Sequence, residues 1–248
     1  MEVHHHSATP ATDIHRGKKK WTHYFWEFLM LFLAVFCGFL AEYQLEHKIE
    51  KDRTKEFAAM LIDDLSSDTA AINRHVKFRE KIYLNADSLM HLLKYGSLIS
   101  DQDKAVKYFS VINDRRLLEA KRGTIEQLKH SGTLRYFRNR KLASELISYY
   151  NVLDIIDHWI QYLFDYESAT LGPFSHEHYD KRYNDTVFRS QKKLSAFVKM
   201  GEEDQILLYN MTETFAHLNK VLAIYVLNEA FEKAGTLIGM IKKEYHLE

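Results

Sequence analysis

Two acid and histidine pairs are the residues whose types and spacing most resemble a reactive or ligand-binding set. Asp154 with His158, and Glu213 with His217, each stand four residues apart, so each pair shares one helix face, one turn apart. Were their helices neighbours, four oxygen and nitrogen atoms could converge on a metal ion. The spacing differs from the Glu-x-x-His motif of di-iron bundles, and charge-rich helices form such pairs by chance. We therefore assign no metal and expect no cofactor. His176-Glu177-His178 lacks the HExxH spacing that places two histidines on one face of a zincin helix. There is no G-x-S-x-G elbow, no phosphate-binding glycine loop and no cysteine and histidine motif. No catalytic residue is assigned, and the chain is expected not to be an enzyme.

Charge supplies the next candidates. Residues 115–141 carry nine bases against two acids: Arg115, Arg116, Lys121, Arg122, Lys129, Arg135, Arg138, Arg140 and Lys141 against Glu119 and Glu126, with Tyr136 and Phe137 among them. Such a segment could meet anionic headgroups, cell-wall polymer or an acidic partner. Helical periodicity would instead spread several of these charges over a solvated surface. No base-reading module accompanies them, so nucleic acid is not expected as a partner. The whole chain has zero formal net charge, so any electrostatic attraction must be local. Glu27 is a further candidate, because a carboxylate at the edge of an apolar helix is costly and often marks a helix contact. Seven residues from Lys20, it can also snorkel to the headgroups. The His4-His5-His6 cluster lies in a polar tail and reads as adventitious.

The elements that must position these residues are helices. With 9 Gly and 2 Pro in 248 residues there is little punctuation for many short strands. Residues 28–41 (FLMLFLAVFCGFLA) contain no charge and make about 21 Å of helix. The aromatic flanks Trp21, Tyr24, Phe25, Trp26 and Tyr43 extend the run toward the ~30 Å of a hydrocarbon layer. Cys37, the single cysteine, sits inside it as a small apolar residue, so no disulfide can form within the chain. Phe36 and Phe39 fill positions that cleavage or lipid attachment would need small, so the helix is expected to be retained. Arg16, Lys18, Lys19 and Lys20 precede the run, whereas acids and bases nearly balance beyond it. The positive-inside bias keeps the N-terminus in the cytoplasm and, in a bacterium, sends the rest of the chain to the periplasm.

Beyond the run, Leu45, Ile49, Phe57, Leu61, Leu65, Ile72, Val76, Tyr83, Ala86, Met90 and Leu93 recur at helical spacing with no Gly or Pro before Gly96. This predicts a long juxtamembrane helix, with a candidate break at Ser66-Ser67-Asp68. A helical stretch is expected from Asp101 to about Ala120, then a short helix opened by a Thr124 and Gln127 capping box and closed by Gly132. Asn139 should cap a helix whose apolar face runs from Leu142 to Leu163 and which Gly172-Pro173 ends, with 174–185 as a loop. A final helical segment from Glu203 to about Tyr245 is expected as one helix, or two joined near Gly235.

Two stretches carry a family resemblance. Residues 25–57, FWEFLMLFLAVFCGFLAEYQLEHKIEKDRTKEF, set an acidic residue at the start of an apolar helix with a charged helix after it. Residues 124–151, TIEQLKHSGTLRYFRNRKLASELISYYN, join a Thr-capped helix, a Ser-Gly turn, a basic segment and a Tyr-Tyr pair. Together with the ending IKKEYHLE they resemble the uncharacterised single-pass membrane proteins of Gram-negative bacteria classed as a domain of unknown function. The resemblance implies a membrane location and a helical domain, and no activity.

The expected fold is therefore all-α: a cytoplasmic tail (1–20), a transmembrane helix (21–44), and an extracytoplasmic domain (45–248) that begins with the juxtamembrane helix and folds as an antiparallel helical bundle. The expected setting is the bacterial inner membrane, with the lipid bilayer as one partner and self-association or other envelope proteins as the rest. The role expected is non-enzymatic and structural or interaction-based. The alternative is an accessory or stator-like subunit of a membrane complex using Glu27 in a helix contact.

Overall fold

The computed structural model describes residues 21–96, 98, 100–185 and 195–247. The polar tail with its histidine cluster lies outside them. The described residues are helical throughout, apart from connecting segments and one isolated bridge between Tyr179 and Phe197. The chain divides into two units, Met1–Asp52 and Arg53–Glu248.

In the first unit, helix α1 (Trp21–Tyr95) begins. Among the described residues it is the one helix long and apolar enough to cross a membrane, and no part of its apolar window is buried against protein. Exposed large apolar side chains surround it on every face from Trp21 to Leu45. Phe28, Phe32 and Phe36 stack along one side, with ring centroids 6.3 and 5.8 Å apart.

In the second unit, α1 continues without the break expected at Ser66-Ser67-Asp68. Thr69 Oγ1 bonds back to the Ser66 carbonyl at 2.7 Å, a helix-compatible use of a short polar side chain. The buried positions include Thr54, Ala58, Leu61, Leu65, Asp68, Ile72, His75, Arg79, Ile82, Ala86 and Leu89. Their spacing alternates three and four, which keeps one stripe facing its neighbours.

Helix α2 (Gln102–Ile112) is shorter than expected: Asn113 bonds back to the Phe109 carbonyl at 2.7 Å, and residues 114–122 run on as non-helical chain. Helix α3 (Gly123–His130) also corrects an expectation. Thr124 lies buried inside its first turn, and no side chain caps it. Gly132 takes the left-handed conformation, φ 67°, that ends such a turn without a Cβ penalty, and a 3-10 turn (Thr133–Tyr136) follows. Helix α4 (Arg140–Ala169) is capped as expected, Asn139 Oδ1 accepting from the Leu142 amide at 3.1 Å. Its predicted face from Leu142 to Leu163 is buried.

Gly172-Pro173 do not end α4. They sit in the first turn of α5 (Leu171–His178), where proline's missing N–H costs nothing, so part of the expected loop is helical. A 3-10 turn (Lys181–Asn184) follows. Helix α6 (Glu202–Val221) passes through a widened π turn (Leu222–Leu227) into α7 (Asn228–Tyr245). The irregularity falls at that turn and not near Gly235. Leu222 and Leu227 of that turn are buried, whereas Tyr225 and Phe231, and Ile206 and Leu207 at the start of α6, are exposed.

Side-chain contacts give the directions. Asp68 meets Tyr149, and Arg79 meets Asn219. Tyr166 bonds the Met211 carbonyl, Lys233 reaches Ser148, and Asn139 reaches Glu244. Helices α6 and α7 thus run opposite to α4. The core between them holds fully buried Leu, Ile and Tyr side chains, each contributing about 1.5–3 kcal/mol of transfer free energy.

Candidate functional site

The basic segment singled out above divides in two. Its first half, 114–122, is a non-helical strap whose arginines Arg115, Arg116 and Arg122 pair with residues of the same unit. Arg115 pairs with the buried Glu167 carboxylate, donates to Ser168 Oγ at 2.8 Å and lies over the Phe164 ring. Arg116 lies over the Phe78 ring, 4.6 Å from its centroid, and reaches Asp114 at 3.1 Å. Arg122 spans Asp154 and Asp157 at 2.6 Å each. These arginines, expected as interaction candidates, each have a partner within the unit.

Beneath the strap lies a buried polar seam. Asp68, fully buried on α1, accepts from the Lys121 backbone amide at 2.7 Å and from the Tyr149 hydroxyl at 2.8 Å. Eleven residues on, and so on the same stripe, Arg79 is 1% exposed. Its guanidinium donates to His75 Nε2 (3.1 Å), Asn219 Oδ1 (3.2 Å) and the Arg116 carbonyl (3.3 Å), three neutral acceptors. Burial, together with the charges of Arg79 and Arg116, drives the His75 pKa down to about 3, so the ring is neutral and can accept. Burial also lowers Arg79 to about 10, which leaves it charged at neutral pH. Burial raises Asp68, against the pull of its Lys121 and Tyr149 hydrogen bonds, and raises both Tyr149 and Tyr150. The seam positions α1 against the strap, α4 and α6; it exposes no reactive atom.

The second half of the basic segment faces outward. Arg135 stacks on Tyr136, donating to its hydroxyl at 2.5 Å. Arg138, Arg140 and Lys141 are exposed, while Lys129 is paired along α3 with Glu126 at 3.4 Å. Arg135, Arg138 and Arg140 rim a groove of about 580 Å³ whose floor is Leu134, Phe137, Ala143 and Ile147. A second, more polar cleft of about 530 Å³ lies toward the opposite end of α4, between Arg115, Glu167, Ser168, His176, Tyr179 and Lys181.

The metal candidates are not brought together. Asp154 is held by Arg122, the His158 ring bonds the Asp154 carbonyl at 2.6 Å, and Glu213 and His217 are exposed. Among the described residues no group of three or more His, Cys, Asp or Glu could hold an ion. In the His176-Glu177-His178 triplet, His178 is buried on the Val198 and Lys199 carbonyls, whereas His176 lines the polar cleft. Glu27 lies on the exposed surface of α1, 3.1 Å from His23 one turn earlier.

Sequence reasoning missed Asp68, His75 and Arg79. The signal was present: Leu61, Leu65, Ile72 and Ala86 set a register whose remaining core positions fall at 68, 75, 79 and 82. Comparison with protein-family models, curated proteins and solved structures finds no match to this chain.

Proposed function

We propose that this is a single-pass membrane protein whose helical domain, an antiparallel bundle, serves a structural or protein-interaction role in the bacterial envelope. The supporting observation is the α1 segment from Trp21 to Leu45, apolar on every face and unburied by protein. About 25 cal/mol per Å2 of exposed apolar area disfavours such a helix in water, and a bilayer removes that cost while the helix satisfies its own backbone. The lysine and arginine cluster before Trp21 supports a cytoplasmic N-terminus and an extracytoplasmic domain. An interaction role suits the outward Ile155 and Tyr162 of α4 and the paired basic groove and polar cleft.

Cys37, the chain's single cysteine, makes the test direct. In sealed membrane vesicles it should resist a membrane-impermeant maleimide and become reactive after detergent. Labelling at equal rates in both conditions would overturn the anchor. Chemical cross-linking in native membranes should trap the domain with itself or with envelope proteins; a chain that stays monomeric and uncross-linked would overturn the interaction role.

A further inference from the structure

Segments from across the second unit converge on the polar cleft near the end of α4: the last turn of α2, the strap, the last turn of α4, α5 and the 3-10 turn that follows it. Bonds among these segments set the walls. The Tyr183 hydroxyl donates to Asp103 at 3.0 Å and ties the 3-10 turn to α2, while the Tyr179 ring packs 5.9 Å from Phe109. Thr170 Oγ1 donates to the Tyr166 carbonyl at 2.6 Å where α4 gives way to α5. These contacts hold the opening without a ligand, so binding there does not have to order the chain first.

The cleft is lined by donors and acceptors that the protein does not use itself. Arg115 is held by Glu167, by Ser168 Oγ and over the Phe164 ring; both bonds use Nη2, so Nε and Nη1 donate to no described residue. Lys181 and His176, both exposed, pair with no described residue. Glu167 is 7% exposed; its Oε2 meets Arg115, and its Oε1 accepts from no described residue. Asn184 Oδ1 accepts from the Tyr179 hydroxyl at 2.5 Å, which leaves the amide nitrogen unengaged, and Asn113 Nδ2 donates to the Phe109 carbonyl, which leaves Oδ1 unengaged. Among the described lining residues, two cations and a histidine stand against one acid.

We propose that this cleft binds a saccharide that carries a carboxylate. A guanidinium with two free donor positions matches a carboxylate in charge and geometry, and Lys181 adds a second cation beside it. The remaining groups decide against a bare anion. Glu167 Oε1 and Asn113 Oδ1 are acceptors, which phosphate or acetate would cover without supplying a donor. Sugar hydroxyls both donate and accept, so they satisfy these oxygens as well as Ser110, Ser168, Ser175 and the Asn184 amide. Pro173 and Tyr179 offer apolar carbon to the C–H face of a sugar ring. The volume of about 530 Å³ falls within the roughly 300–1,000 Å³ of small-ligand sites and suits a disaccharide. Every lining residue belongs to the second unit, so the inference does not rest on the anchor.

The test is isothermal titration calorimetry of the detergent-solubilised full chain with three probes: N-acetylglucosaminyl-N-acetylmuramic acid, di-N-acetylchitobiose and inorganic phosphate. The first two share their pair of rings and differ in the lactyl carboxylate. The acid should bind about tenfold or more tightly than chitobiose, the worth of one charge-assisted hydrogen bond. Lys181→Glu, at an exposed side chain with no role in packing, should remove that preference, whereas Arg138→Glu in the other groove should not; circular dichroism checks that both variants keep the parent's helix content. Should Lys181→Glu lose helix, Lys181→Ala with His176→Ala gives the same reading. Equal affinity for the two disaccharides overturns the carboxylate assignment, and phosphate binding as tightly as the acid overturns the saccharide in favour of a free-anion site. No heat from any probe at millimolar concentration, or binding of the acid unchanged in the cleft variants, overturns the site itself. None of these results bears on the Cys37 labelling that tests the anchor.

Discussion

Replacing Tyr149 by phenylalanine tests the buried seam at its most constrained point. The Tyr149 side chain is fully buried, and its hydroxyl donates at 2.8 Å to Asp68 Oδ2, while the other Asp68 oxygen takes the Lys121 amide at 2.7 Å. Burial raises the phenol, so Tyr149 remains a donor at neutral pH. Removing the hydroxyl leaves one oxygen of a buried carboxylate without its donor, and a hydrogen bond to a charged group is worth about 1.5–3 kcal/mol. For a unit of this size that corresponds to a melting point lower by about 4–8 °C. The pH dependence has a definite sign. Asp68's folded pKa is raised above its unfolded value, so the stability it contributes below the carboxylate range is lost as pH rises through the folded pKa. Without the hydroxyl the folded pKa rises further. The gap between variant and parent should therefore be widest at neutral pH and shrink as acid protonates Asp68. Thermal and urea unfolding of the detergent-solubilised full chain, followed by circular dichroism, measures the gap, and other titrations common to both proteins cancel. In an Asp68→Asn background the cost should fall by half or more. A cost below about 0.5 kcal/mol at neutral pH, or one unchanged in that background, would refute the reasoning.

Three further outcomes follow from the same packing. Between about 3 and 6.5 the unfolded chain binds a proton at His75 that the folded chain excludes, so stability should fall as pH drops below 6.5, by about 1.4 kcal/mol per pH unit; His75→Gln, which keeps an acceptor for Arg79, should flatten urea midpoints over that window. Arg79→Leu should cost about 3 kcal/mol or more, because two buried acceptors and one part-buried carbonyl lose their donor at once; Arg122→Ala breaks two ion pairs on exposed aspartates and should cost about 1 kcal/mol or less, with urea unfolding as the comparison. Leu153→Ala, at a fully buried site on α4, should cost about 2–5 kcal/mol in the same assay.

Helix α4 was legible from sequence because every local cue agreed: an asparagine cap, an apolar face of period 3.6, and no breaker before Gly172. Where cues competed, tertiary contacts decided. Asp101 to Ala120 looked helical by propensity, yet 114–122 is non-helical, because Arg115 and Arg122 reach acids on α4 and Arg116 reaches Asp114 within the strap, while the strap's backbone satisfies Asp68 and Arg79. The π turn at Leu222–Leu227 has no local signature in its run of apolar residues. Thr124 and Gln127 matched a capping box in spacing, but Thr124 is occupied by burial.

The polar residues of α1 show why the candidate site was read only in part. Ser66-Ser67-Asp68 resembled a helix break because short polar side chains compete with the helix for its own backbone groups. Asp68 does not compete: both of its oxygens are engaged by donors from the strap and from α4. Arg79, eleven residues later on the same stripe, is bound in the same manner by α6 and the strap. Two polar anchors three turns apart cannot both be satisfied if α1 slides by one turn against its neighbours, whereas an all-apolar stripe of repeating period could tolerate the slip. The register so fixed sets which residues of α1 stand against the strap, α4 and α6.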